Sequence, residues 1–193
     1  MPPSSLIGLS LALALAGCAT HVQKPEHTQN PPPSVTFNEF SQFELKPVNQ
    51  SEGCQKAQGG DKLIAALNQR LPAKLNPMLH HWKTAAQHSK RGKLVIEPIC
   101  ANAKLIGTAT RIFAGPLAGS SAVVIKVRYT DAASGQVIAE PSFYQRTAAM
   151  SGAYTFGATD NAMLSRIVNL VAGYTENNYA QFSGGPTGTP DAN

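Results

Sequence analysis

The sequence predicts a single α+β domain, and three observations carry that expectation. Leu63, Leu67, Leu71, Leu75, Leu79 and Trp82 recur at steps of four and three, which is the period of one stripe along an amphipathic helix. Ala122 to Tyr129 (AVVIKVRY) alternates Val123, Ile125, Val127 and Tyr129 with Ala122, Val124, Lys126 and Arg128, as a half-buried strand does. With 193 residues, 42% hydrophobic and 14% charged, the chain has a globular composition and enough length for one core.

The remaining elements follow in order. Phe37 to Val48 ends in Phe43 and Leu45 alternating with polar neighbours and predicts a first strand. Asp61 is placed to cap the leucine-striped helix, which Pro72 and Pro77 should kink or split. Lys93 to Cys100 (KLVIEPIC), bounded by Gly92, predicts a second strand, and Gly107 to Gly119 a glycine-rich connection. Asp131 to Gly135 is a turn signal, so Gln136 to Thr147 should return as the partner of a hairpin. Thr159 or Asp160 would cap a last helix with Met163, Ile167, Leu170, Val171 and Tyr174 as its apolar stripe. The order β-α-β-β-β-α implies a mixed or antiparallel sheet with helices packed on it.

The N-terminus supplies an address. Leu6 to Ala16 (LIGLSLALALA) has the length of a signal-peptide core and falls short of the ~20 residues a spanning helix needs. It runs into Leu15-Ala16-Gly17-Cys18, where a thiol could accept a diacylglycerol as a thioether behind small residues that fit a narrow peptidase site. The first five residues, MPPSS, lack the usual positive charge, and Ala14-Leu15-Ala16 also fits an ordinary secretory cleavage site. With acylation at Cys18, residues 1–17 are a signal peptide, 18–34 a flexible proline-rich tether, 35–182 the globular domain and 183–193 a disordered tail. The sixteen residues that follow Cys18 in this tether would lift the domain from the bilayer by up to ~3.1 Å each. Mean hydropathy of −0.14 and a single short apolar run exclude a multi-span membrane protein.

Charge is distributed unevenly. Between Lys62 and Arg128 lie eleven Lys and Arg against one acid, Glu97, although the whole chain carries only +5. An anionic neighbour is the corresponding expectation. In the periplasm that means anionic lipid or peptidoglycan rather than nucleic acid. On the helix side of this segment Lys62, Lys83, Lys90 and Arg91 are expected to face solvent, and Arg111 lies in the glycine-rich connection; Lys83, Lys90, Arg91 and Arg111 are the candidate anion contacts. The alternative is a solvated positive face with no partner. Cys54 and Cys100 remain beside Cys18, and in an oxidising compartment they are expected to form a disulfide, the alternative being two free thiols.

Catalytic and metal motifs are weak. His80, His81 and His88 share a helical stretch, but no carboxylate lies between Asp61 and Glu97, so no metal site is expected. Ser120 and Ser121 lack a nucleophile-elbow motif and have no histidine downstream, so no catalytic residue is assigned. Gly107, Gly115 and Gly119 do not have phosphate-loop spacing, and no cofactor is expected.

The run from Gly107 through Gly119, the V-x-I-x-V-R-Y-T-D-x-x-S-G-x-V-I-A hairpin and the last helix together resemble a family of small bacterial lipoproteins of unknown function. That family is distantly similar to the α/β domains of the curli-secretion lipoprotein, the penicillin-binding-protein activators and the N-terminal part of TolB. The resemblance covers Lys62 to Tyr179 and implies an envelope setting without catalytic residues. Similarity to bacterial lipoproteins also implies the outer membrane, because Ala19 stands where an Asp marks inner-membrane retention. The first functional expectation is a lipid-anchored periplasmic module that binds or positions another envelope component without catalysis. The alternatives are a subunit of an oligomeric secretion or assembly complex, and a periplasmic enzyme. Labelled fatty acid should enter the wild-type chain and not Cys18→Ser; equal labelling of the mutant would remove the anchor.

Overall fold

A computed structural model describes residues 22–85, 91–107, 119–147 and 158–189. The elements are β1 (Gln29–Asn30), a 3-10 turn (Phe37–Glu39), β2 (Phe40–Leu45), β3 (Asn49–Gln50), α1 (Glu52–Gln55), α2 (Gly60–Ala85) and β4 (Arg91–Lys104). They continue with β5 (Ala122–Asp131), β6 (Val137–Ala139), β7 (Ser142–Arg146), α3 (Ala158–Asn177) and β8 (Gly185–Pro186). The fold is the α+β arrangement expected, with the sheet mixed rather than purely antiparallel.

Strand β4, 14 residues long, is the spine. On one side β2 and β3 pair with it in parallel; on the other β5 runs antiparallel, followed by β6 and β7. A buried proline inside this central strand costs a ladder bond unless its nitrogen faces a gap. Ile96 accepts from the Lys46 N–H, so Pro98, two residues on, turns its nitrogen to the same side. Leu45 pairs with Ile96 and Asn49 with Ile99, which puts Pro98 opposite the break between β2 and β3 at Pro47. The two prolines thus share one interruption. Ala101 is the extra residue of a bulge, since Cys100 pairs with Ile125 while Asn102 pairs with Val124.

Both long helices cover one face of this sheet. All six residues of the leucine stripe are buried against Leu94, Ile96, Val123, Ile125, Val127 and Tyr129. Pro72 and Pro77 do not split α2, which is one helix of 26 residues. The carbonyls they leave without a helical donor, four residues earlier, belong to Asn68 and Ala73, both exposed and open to water. Aromatic packing joins the layers: Phe37 stacks on Tyr129 at 4.7 Å, and Trp82 lies between Phe43 and a stacked Tyr179. Burial pushes the Tyr129 phenol well above its ordinary pKa, so it stays neutral beside the Thr175 hydroxyl at 2.7 Å. The last helix starts at Ala158, ahead of the expected cap, so Thr159 and Asp160 lie in its first turn. A disulfide joins Cys54 of α1 to Cys100 of β4 across 46 positions. In the chain-entropy model such a closure stabilises by about 4 kcal/mol.

Parts of both segments expected to be unstructured are ordered. Val22 is buried, and β1 pairs antiparallel with β8, Gln29 opposite Pro186 and Asn30 opposite Gly185. The physical reason is the bare outer edge of β7, whose N–H and C=O groups would otherwise be exposed to pairing with another chain. The Asn30 side chain donates to the Ser142 carbonyl and accepts from the Ser142 N–H, so one amide imitates a strand. The Tyr144 N–H donates to the Thr187 carbonyl at 2.7 Å and extends the cover.

Asn178 holds the turn that delivers this ribbon. Its side chain is fully buried and uses its whole bonding capacity. Nδ2 donates to the Tyr174 and Gly184 carbonyls, and Oδ1 accepts from the Ser183 and Gly184 N–H groups. Gly184 takes φ of 64°, and a Cβ there would lie 2.4 Å from the Asn30 carbonyl oxygen. Asn178→Ala should lower unfolding free energy by about 2–4 kcal/mol, because it leaves buried backbone groups without partners. Urea titration checks this, and a loss under 0.5 kcal/mol would show, to about that precision, that the turn stands without the amide.

Candidate functional site

Two surfaces have the chemistry to meet a partner. The first is the face of the sheet that neither α2 nor α3 covers. Directly paired residues share a face, so Lys104, Ala122 and Arg146, matched across three neighbouring strands, lie together there. Val124 and Tyr144 form the next row, and Lys126 follows two residues along β5. Val22 packs on Ala122, Val124 and Tyr144, forming a small apolar cluster separate from the main core.

The charges of this face are sorted. At the end toward β2 and β6 they neutralise one another: Glu44 takes Lys46 and Lys93, and Arg128 lies between Glu97 and Glu140. Hydrogen bonds from Lys46 and Lys93 hold the Glu44 carboxyl below its ordinary pKa. Around Val22 the pattern changes. Lys126 is exposed, Lys104 and Arg146 are half-buried, and among the described residues no carboxylate pairs with any of them. Arg146 donates to the Ser120 hydroxyl at 3.4 Å. Lys104 and Arg146 thus flank the point where the N-terminal segment meets the sheet, with Lys126 two rows further along β5, and none of the three has an acidic partner among the described residues.

The second surface is a cavity of about 400 Å³ between the start of α2, the end of β4 and the start of α3. Lys62, Asp160 and Asn161 give it a cation, a carboxylate and an amide; Leu63, Leu105 and Met163 supply apolar wall. Such a lining can hold a small polar ligand, and its described side chains include no thiol, hydroxyl or imidazole. Near it Arg70 joins the two helices by donating to the Asn161 carbonyl, the Asn161 Oδ1 and the Ser165 hydroxyl.

The residues singled out from the sequence scatter. Lys83 is exposed in the last turn of α2, and Lys62 lies on the cavity rim, far along the helix from it. Arg91, expected on a helix as a free anion contact, sits on β4 and is already engaged. Its Nη1 lies 2.7 Å from the Asp131 carboxylate, and its guanidinium lies over the Phe40 ring at 5.9 Å. Lys90, Arg111, His88 and Cys18 lie outside the described residues. His80 and His81 are exposed, and among the described residues no three metal-ligating side chains gather. Ser121 is buried and structural: its hydroxyl accepts from the Ile106 N–H, and its own N–H donates to the Thr147 hydroxyl.

No protein-family model matches this chain, and no curated protein matches it. Among solved structures it is similar to a PelC dodecamer from Paraburkholderia phytofirmans, at 12% identity and a TM-score of 0.39 over 79% of this chain and 96% of that one. It is also similar to the hypothetical protein CT253 from Chlamydia trachomatis, at 12% identity and a TM-score of 0.37 over 70% of this chain and 98% of that one. A candidate lipoprotein from Caulobacter crescentus is similar at 15% identity and a TM-score of 0.36, over 72% of this chain and 89% of that one. At these values the likenesses bear on neither the fold nor the activity of this chain.

The Arg91–Asp131 pair, at the edge of the core, gives the domain a pH signature. The Ala133 N–H, with help from Arg91 and Ser134, holds the Asp131 carboxyl below its ordinary value of 3.8. A carboxylate lowered in the folded state stabilises fully above its unfolded pKa, and that contribution is lost as pH falls through the lower folded value. Asp131→Asn should therefore lose less melting temperature than wild type between about pH 4 and pH 2. Parallel wild-type and mutant melting curves over that window would show Asp131 uninvolved in acid sensitivity.

Proposed function

We propose that the chain is a lipid-anchored envelope module that binds or positions an anionic envelope component through the open face of its sheet, without catalysis. The observation that carries this reading is the group of Lys104, Lys126 and Arg146, without ionic partners among the described residues, on the face that neither α2 nor α3 covers. Exposed like charges repel and cost stability, and a protein that only needs solubility disperses them. On the same face Lys93 and Arg128 are neutralised by Glu44, Glu97 and Glu140, Arg128 standing only two residues beyond Lys126, so the cations left without an acid are set apart from paired neighbours. The signal-peptide core and Cys18 put the module on the periplasmic side of a membrane, and Ala19 favours the outer one.

A photoreactive residue at Lys126 in the full chain, activated in intact cells, should give adducts with lipid or peptidoglycan, resolved by mass spectrometry. The same residue at Asn76, exposed on α2, should give few. Equal adducts at both positions would overturn the reading. Adducts from position 126 confined to other copies of this chain would instead place it in an oligomeric assembly.

A further inference from the structure

The start of the described chain fixes how far the domain can stand from its anchor. The sequence alone suggests a tether of sixteen residues, which in extended form reaches ~50 Å. In the structure most of that length is bound to the domain. Val22 is buried on the sheet, the His27 carbonyl accepts from the Thr187 hydroxyl, and Gln29–Asn30 is a strand. Only residues 19–21 separate Cys18 from Val22. Four Cα steps span at most ~15 Å.

We infer that the module lies down on the membrane, with the Val22 end of the open sheet face turned toward anionic lipid headgroups. This rests on acylation at Cys18. A short leash brings whichever surface surrounds its attachment point closest to the bilayer, and here that surface holds the three cations. Lys104 and Arg146 flank Ala122 in register, one strand spacing of about 4.8 Å to either side. Lys126 stands two residues beyond Val124. Exposed charges act over ~8 Å at physiological ionic strength, so cations elsewhere on a domain held at ~50 Å would not feel the surface. Held by a ~15 Å leash, Lys104, Lys126 and Arg146 would. The helix-covered side, with Asn76 and Asn169 exposed on α2 and α3, faces away into the periplasm and stays free for other contacts.

The test uses the acylated full-length protein reconstituted on vesicles of zwitterionic lipid with a minority of anionic lipid. With Cys18 acylated and Cys54 joined to Cys100, a fluorophore can be attached at Lys126→Cys or, separately, at Asn76→Cys. Lipids carrying a quencher on the headgroup should quench the label at 126 several-fold more than the label at 76. That difference should shrink when anionic lipid is omitted. Equal quenching at the two positions, on protein that floats with the vesicles, overturns the orientation and leaves the anchor standing. A difference indifferent to anionic lipid overturns the role given to the cations. Failure of the wild-type chain to float, with labels silent at both positions, removes the anchor and the orientation together.

Discussion

Two buried amides, those of Asn178 and Asn30, hold the ends of the domain against the last strand of its sheet. Asn178 bends the chain after α3 so that Gly184 and Gly185 pass close to Asn30 and Tyr174. Asn30 then bonds both backbone groups of Ser142, and the exposed edge of β7 is satisfied without another strand of its own length. Everything upstream depends on that closure. With β1 held beside β7, His27 and Thr28 bond to Thr187, and Val22 comes to rest on Val124 and Tyr144. The position of Val22 on the sheet is thus tied to hydrogen bonds made by residues more than a hundred positions away.

What the sequence reveals depends on whether a residue's role is periodic. The leucine stripe of α2 and the alternation in β5 are repeated signals, each position reinforcing the next, and both elements form where the periods place them. The hairpin turn is legible because Asp131 and Gly135 mark it with chemistry specific to turns: an aspartate carboxylate accepting from Ala133 and a glycine at φ of 71°. Proline misleads in both directions. In α2 two prolines suggest a break that solvent access to Asn68 and Ala73 makes unnecessary. Pro98 sits in the central strand, where local rules disfavour it, and is accommodated by a gap that only the register of β2 and β3 reveals.

The ribbon and the face were harder to read for a different reason. ATHVQKPEHTQNPPPS and SGGPTGTPDAN have the composition of tether and tail, and two paired residues on each side carry no hydrophobic period. Their order comes from one partner that is 156 positions away, information that no local window contains. The cation excess between Lys62 and Arg128 is visible in the sequence, yet its assignment to α2 and Arg91 is displaced by pairing. Asp131 lies forty residues from Arg91 and removes it from the candidates. Lys104, Lys126 and Arg146 are brought together only by antiparallel register, which converts separations of 22 and 20 residues into neighbouring strands.

The pairing of β1 with β8 also governs the order of events when the protein is made. A chain made from its N-terminus presents Gln29 and Asn30 early, and their partners Gly185 and Pro186 only long afterwards. Until then the edge of β7 is bare, and a bare strand edge is a template for association with a neighbour. Contacts between such distant positions also form slowly, since the loop entropy must be met before the contact stabilises. A nascent molecule therefore passes through a stage in which its core elements are all present and its sheet is still open. The glycine-rich stretch from Ser183, which resembles a dispensable extension, is the stopper that ends this stage. A chain ending before it would keep the open edge for its whole life.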